Sequence, residues 1–161
     1  MKRKIFSFLA CTALLLQLSS YGQEVSLNKF DKRGIEVINS FMNAIMDPDS
    51  QGNEGTAAIA ALPYIHASEY DASGTNLKKD RLEFSFKKAW HNAKFYTLPV
   101  SVTRIQRQHI TAIGFGATAQ AGKAFKVWIA KKDGVAGMPA PLNVFFPSDG
   151  SAPKLYYYGS L

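Results

Sequence analysis

Cysteine is nearly missing from this 161-residue chain: Cys11 is the only one. No intrachain disulfide can form, so the fold must be held by burial of apolar side chains. The same scarcity removes any thiol nucleophile after position 11. Histidine is also rare. His66, His91 and His109 stand far apart, none with a second histidine or a carboxylate in an HExxH-like arrangement, which excludes that metal motif. The sequence implies no metal and no cofactor. No serine lies in a GxSxG elbow. No apolar run is long enough to cross a bilayer. The longest, Ile5–Leu18, would cover about 21 Å as a helix, against a hydrocarbon core of about 30 Å.

That short run is informative in another way. Lys2, Arg3 and Lys4 precede it, and Ser20-Tyr21-Gly22 follows with small residues at the −3 and −1 positions. The three parts together predict a cleavable signal peptide over 1–22, and hence a periplasmic or extracellular protein. Cys11 sits inside the apolar run rather than after it, which excludes lipid attachment there. The segment carries three of the 19 basic residues and none of the 12 acidic ones. Residues 23–161, expected to form one α+β domain, therefore hold sixteen basic and twelve acidic residues, a net charge of +4. That charge gives no reason to expect nucleic acid as a partner. Within 23–161, nine Phe, six Tyr and two Trp supply material for a core.

Periodicity divides the remainder into helices first and strands later. Leu27, Phe30, Val37, Ile38, Phe41, Met42 and Ile45 recur at steps of three and four, predicting an amphipathic helix over 26–46 capped by Ser26. A second helix is expected over 55–68, kinked at Pro63. A third is expected over 76–93, with Leu82, Phe86, Ala89, Trp90 and Ala93 on one face and a cap at Thr75 or Asn76. From 94 the period becomes two, predicting a strand over 94–106 with a bulge or edge at Pro99. A hairpin of 109–118 and 124–131 follows, then strands at 142–146 and 154–158. Helices followed by a run of antiparallel strands is the α+β layout, with helices packed on a curved, mainly antiparallel four- to five-stranded sheet.

This element order resembles the nuclear-transport-factor-2-like superfamily, a cystatin-like α+β cone. The features carrying the resemblance are the 26–46 helix, the TAAIAALPYIHAS segment, the helix ending Lys88-Ala89-Trp90-His91-Asn92 and the terminal KLYYYGSL. The resemblance implies a sheet that wraps the long helix and encloses a pocket, round which Tyr64, His66, Trp90, Tyr96 and Phe115 are the expected lining. It also implies an enzymatic alternative, since members include isomerases and hydrolases that work with a lone acid–base residue. Asp47, His66 and Asp71 are the candidates for that role, and each is also a natural cap or turn residue.

Two phosphate-binding patterns fail on context. Gly114-Phe115-Gly116-Ala117-Thr118-Ala119 matches GxGxxA, with Asp133 about 20 residues on. The mechanism needs a helix after the glycines, and here a strand is expected. Gly116 to Lys123 resembles a phosphate loop but is wrong by one residue and lacks the following hydroxyl. Ser68 follows His66 closely, yet two residues apart on a helix they would diverge.

The strands carry more signal. If Phe125, Val127, Ile129, Leu142, Val144, Phe146, Leu155 and Tyr157 pack on the helices, then Trp128, Phe145, Tyr156 and Tyr158 lie on the outer face. Such an aromatic cluster marks a contact surface, for a homodimer or another partner. Arg104, Arg107, Lys123, Lys126, Lys131 and Lys132 make the middle of the sheet basic, which suits anionic glycan or lipid head groups but is expected first of charges that guard strand edges. The sequence thus reads as an exported, non-catalytic binding module for a small apolar ligand or a protein partner. A small pocket enzyme is the alternative.

Overall fold

A computed structural model describes residues 29–161, with side chains from 32 onward. The expected signal peptide and the Ser26 cap lie outside the described residues. Helix α1 spans Lys29–Met46. Its stripe of Val37, Ile38, Phe41, Met42 and Ile45 is buried, as the period demands. Gly34 completes the stripe because a Cβ there would stand 3.0 Å from the Phe146 ring. Asp47 ends α1 and caps the short α2 (Pro48–Gln51) through a bond from the Asp49 amide. Helix α3 (Glu54–Ala61) starts at Asn53, whose side chain accepts from the Gly55 and Thr56 amides.

Helix α3 is shorter than the periodicity suggests. It stops at Ala61 because Pro63 cannot continue it, and the chain turns through a 3₁₀ segment, Leu62–Tyr64. Ile65 then pairs in parallel with Leu155, with the His66 amide donating to the Leu155 carbonyl at 2.7 Å. A second 3₁₀ turn, Ala67–Glu69, follows. The expected third helix also begins late. Asp71 accepts bonds from Ser73 and Gly74 and holds 71–76 in a turn. Arg81–Phe86 is then π-helical and runs into α4 (Lys87–Asn92). Phe86, Ala89 and Ala93 are buried from this face.

The expected strand over 94–106 is largely not one. Ala93–Phe95 is a 3₁₀ turn, Pro99 has no N–H to give a ladder, and the Val100 amide donates to Asn39 of α1 at 2.8 Å. Strand β1 begins only at Val102 and ends at Arg107. It is followed by β2 (Ala112–Ile113), β3 (Gln120–Ile129), β4 (Ala140–Pro147) and β5 (Lys154–Tyr157). The antiparallel order is β1-β3-β4-β5, and β2 pairs with the start of β3. The protein is therefore α+β, with a curved sheet that is not closed into a barrel.

Register decides the two faces. Val127, Ile129, Leu142, Val144, Phe146 and Leu155 join the α1 stripe, Phe86 and Tyr158 in one core. The opposite face carries Trp128, Lys126 and, by pairing, Arg104 and Asn143. Two irregularities adjust this. One, between Val102 and Arg104, turns Val102 inward and Arg104 outward although they are two apart. Another, opposite Asn143 and Val144, reverses the last tyrosines. Tyr158 is buried in the core against Phe41 and Phe86, and Tyr157 is exposed. The alternation rule had assigned these two the other way.

Candidate functional site

A cleft opens at the end of the sheet near the β2–β3 turn. One wall is Ser68, Glu69, Lys78 and Arg81, and the other is Ala112, Ile113, Gly114 and Phe115, with Tyr156 between them. Its volume is about 360 Å³. Each wall is built locally. Gly114 and Gly116 adopt positive φ, and a Cβ on Gly114 would meet the Thr118 carbonyl oxygen at 2.2 Å. Thr118 Oγ1 accepts from the Phe115 amide and donates to its carbonyl. This closed turn holds Phe115 93 % exposed.

The polar wall is an ion pair. Arg81 Nε stands 2.9 Å from Glu69 Oε2, and the Glu69 side chain is nearly shielded from solvent. Burial pushes the Glu69 carboxyl above its ordinary range, while Arg81 and Lys78 pull it back. Lys78 Nζ donates to the Ser68 carbonyl at 2.6 Å. Arg81 is also where the π-helical backbone starts, and such segments occur disproportionately at functional positions.

His66 supports this wall from behind. It is 3 % exposed. The Ser68 amide donates to Nδ1 at 3.1 Å, so Nδ1 is the acceptor and Nε2 carries the proton. Nε2 donates to Gln120 Oε1 at 3.2 Å, and Gln120 Nε2 donates to Asp149 at 2.9 Å and to Ser151 at 3.3 Å. The His66 ring also meets Phe145 edge-on at 5.8 Å. Burial lowers the His66 pKa, Gln120 opposes the shift, and the Lys154 charge adds to it. Burial pushes the Tyr156 phenol up to about 12, and its hydroxyl bonds Gln108.

The residues expected round a single pocket do not share one. Phe115 lines this cleft, and His66 lies behind its Ser68–Glu69 wall. Tyr64 faces two cavities along α1, one with Asn39, Asn43, Leu98 and Pro99, the other with Arg33, Glu36 and Pro153. Tyr96 faces a separate cavity with Lys88, Met138 and Leu161. Trp90 is half-buried and donates to the Ser50 carbonyl at 3.2 Å. They disperse because the space between α1 and the sheet is filled by Phe41, Met42 and Ile45 packed on Leu142, Val144 and Leu155. Of the expected outer-face aromatics, Trp128 is there, Phe145 is on that side but fully buried, and Tyr156 borders the cleft. Tyr158 is not on that face.

Asp47 and Asp71 cap a helix and a turn, as described above. The expectation that His66 and Ser68 diverge fails because the chain leaves the helix before them: Ser68 Oγ lies 2.9 Å from Nδ1. The GxGxxA glycines form the β2–β3 turn, and strand β3 follows. Sequence reasoning missed Glu69, Lys78, Arg81 and Gln120, and no local motif marks them. Comparison of the chain with known protein families, curated proteins and solved structures gives no match, so the site must be read from its own chemistry.

Proposed function

We propose that this chain is an exported, non-catalytic binding module of the nuclear-transport-factor-2-like kind, and that its ligand sits in the cleft between Glu69–Arg81 and Phe115. The observation that carries the reading is Phe115, held in water opposite a shielded ion pair across about 360 Å³. A small molecule with an apolar part on Phe115 and Ile113 and polar atoms toward Arg81 suits those walls. Native mass spectrometry of the protein taken from its own exported compartment tests this. A defined small adduct, lost in Phe115→Ser while the fold survives, is expected. An adduct-free spectrum for the wild type, or an adduct that Phe115→Ser retains, contradicts the cleft.

The contact between Ser68 Oγ and His66 Nδ1 favours a second reading, a hydrolase-like site. Against it, the same Nδ1 lone pair takes the Ser68 backbone amide, which is the bonding of a turn cap. A serine-directed fluorophosphonate separates the two: labelling of Ser68 selects the hydrolase, and an unmodified mass selects the binding module.

A further inference from the structure

Not every basic residue of the sheet is explained as an edge guard. Strands β1, β3, β4 and β5 carry Arg104, Arg107, Lys123, Lys126 and Lys154 and no Asp or Glu. Guarding charges belong on edge strands, where Arg104, Arg107 and Lys154 lie, yet over 125–129 β3 is flanked by β1 and β4. Lys126 therefore stands in the middle of the outer face. Arg104 and Lys126 both lie over the Trp128 ring, at 4.6 Å and 5.3 Å from its centre. Beside them are Gln106 and Asn143, each paired with Lys126, and then the exposed Tyr157. Arg104 also donates to Gln106 Oε1 at 3.2 Å.

We propose that this outer face binds an acidic polysaccharide. Its cations fit carboxylate or sulfate groups, and the exposed Gln106 amide beside them fits a hydroxyl of the sugar chain. The charge pattern tells against the homodimer expected from the aromatic residues. A two-fold interface here would set Arg104 and Lys126 against their own copies. Nucleic acid fits less well, because two cations already lie over the Trp128 ring on which a base would stack. An anionic bilayer would call for apolar side chains projecting beyond the cations, whereas Trp128 is half-buried and Phe145 fully buried.

Affinity electrophoresis of the purified protein through gels containing polygalacturonate or neutral dextran tests the proposal. Polygalacturonate is expected to retard the protein and dextran to leave it unaffected. The double variant Arg104→Gln/Lys126→Gln should bind roughly tenfold more weakly, the loss of two charge-assisted contacts. Lys79→Gln/Lys87→Gln removes the same charge from exposed helix positions and should bind as the wild type does. The proposal is overturned by an unretarded wild type, or by equal loss in both double variants, which would mean net charge alone. It is overturned equally by tighter binding, at the same salt, to phosphatidylglycerol vesicles or a single-stranded oligonucleotide. Arg104→Gln alone, at an exposed position on β1, repeats the comparison if the double variant does not fold.

Discussion

Acidification through the range where histidine titrates should weaken this protein, and His66 should be the reason. Its ring is buried, its Nδ1 lone pair caps the Ala67–Glu69 turn, and its pKa is lowered by that burial. The folded state therefore holds His66 neutral at a pH where the unfolded chain has begun to protonate it. With more protons bound by the unfolded state, stability rises with pH. The contribution is complete above the ordinary value near 6.5, falls as pH drops toward the folded value, and levels off below it. One proton limits the slope to about 1.4 kcal/mol per pH unit, a large share of a typical total of about 5–15 kcal/mol. The matched variant is His66→Asn, which can still accept from the Ser68 amide but does not titrate. Urea unfolding at pH 7.5, 6.5 and 5.5 should show a wild-type advantage that shrinks little between the first two and clearly at the third. Glu69, whose raised pKa acts in the opposite sense and adds stability toward lower pH, is present in both proteins and cancels in the difference. A wild-type-minus-variant difference that stays constant from pH 7.5 to 5.5 would falsify the assignment.

Other outcomes follow from particular contacts. Tyr158 keeps its hydroxyl buried with no partner among the described residues, so Tyr158→Phe should leave stability unchanged or raise it by about 1 kcal/mol; a loss of that size in thermal unfolding would reveal a bond to the hydroxyl. Gly122→Ala should destabilise by about 1–3 kcal/mol, because the new Cβ would lie 2.3 Å from the Phe146 carbonyl oxygen and 2.5 Å from the Phe145 ring. Chemical denaturation showing wild-type stability for that variant would mean the β3–β4 pairing relaxes freely there.

The parts legible in the sequence are those where one period runs unbroken. The α1 stripe from Val37 to Ile45 and the inward sets on β3 and β4 were readable because their helix-facing residues keep an unbroken period, even where Ala124 and Phe145 are buried on the other face. Elsewhere a single interaction overrode the pattern. Val100 alternates with Tyr96 as a strand should, but its amide is taken by Asn39. The TAAIAAL helix reads through Pro63 by composition, yet the chain leaves it to lay Ile65 beside Leu155. Tyr157 and Tyr158 exchange faces because an irregularity in the β4–β5 pairing shifts the count by one. The candidate cleft was nearly invisible for a related reason. Glu69 and Arg81 are separated by the 71–76 turn, and Phe115 comes from another hairpin, so only tertiary folding brings them together.

The short parallel contact of Ile65 with Leu155 also bears on how the protein behaves when crowded. An open strand edge offers a row of amides and carbonyls to any other extended chain, and this is a common route to aggregation. At the β5 side that row is partly occupied by the chain's own Ile65–His66 backbone and by the Lys154 ammonium, which bonds the Pro63 carbonyl. At the other side the edge is divided between β1 and β2, with an irregularity near Thr103 and a gap at 108–111. Neither border presents a long straight template. A chain that can form no internal disulfide thus carries, in its edges, a kinetic defence against sticking to its neighbours.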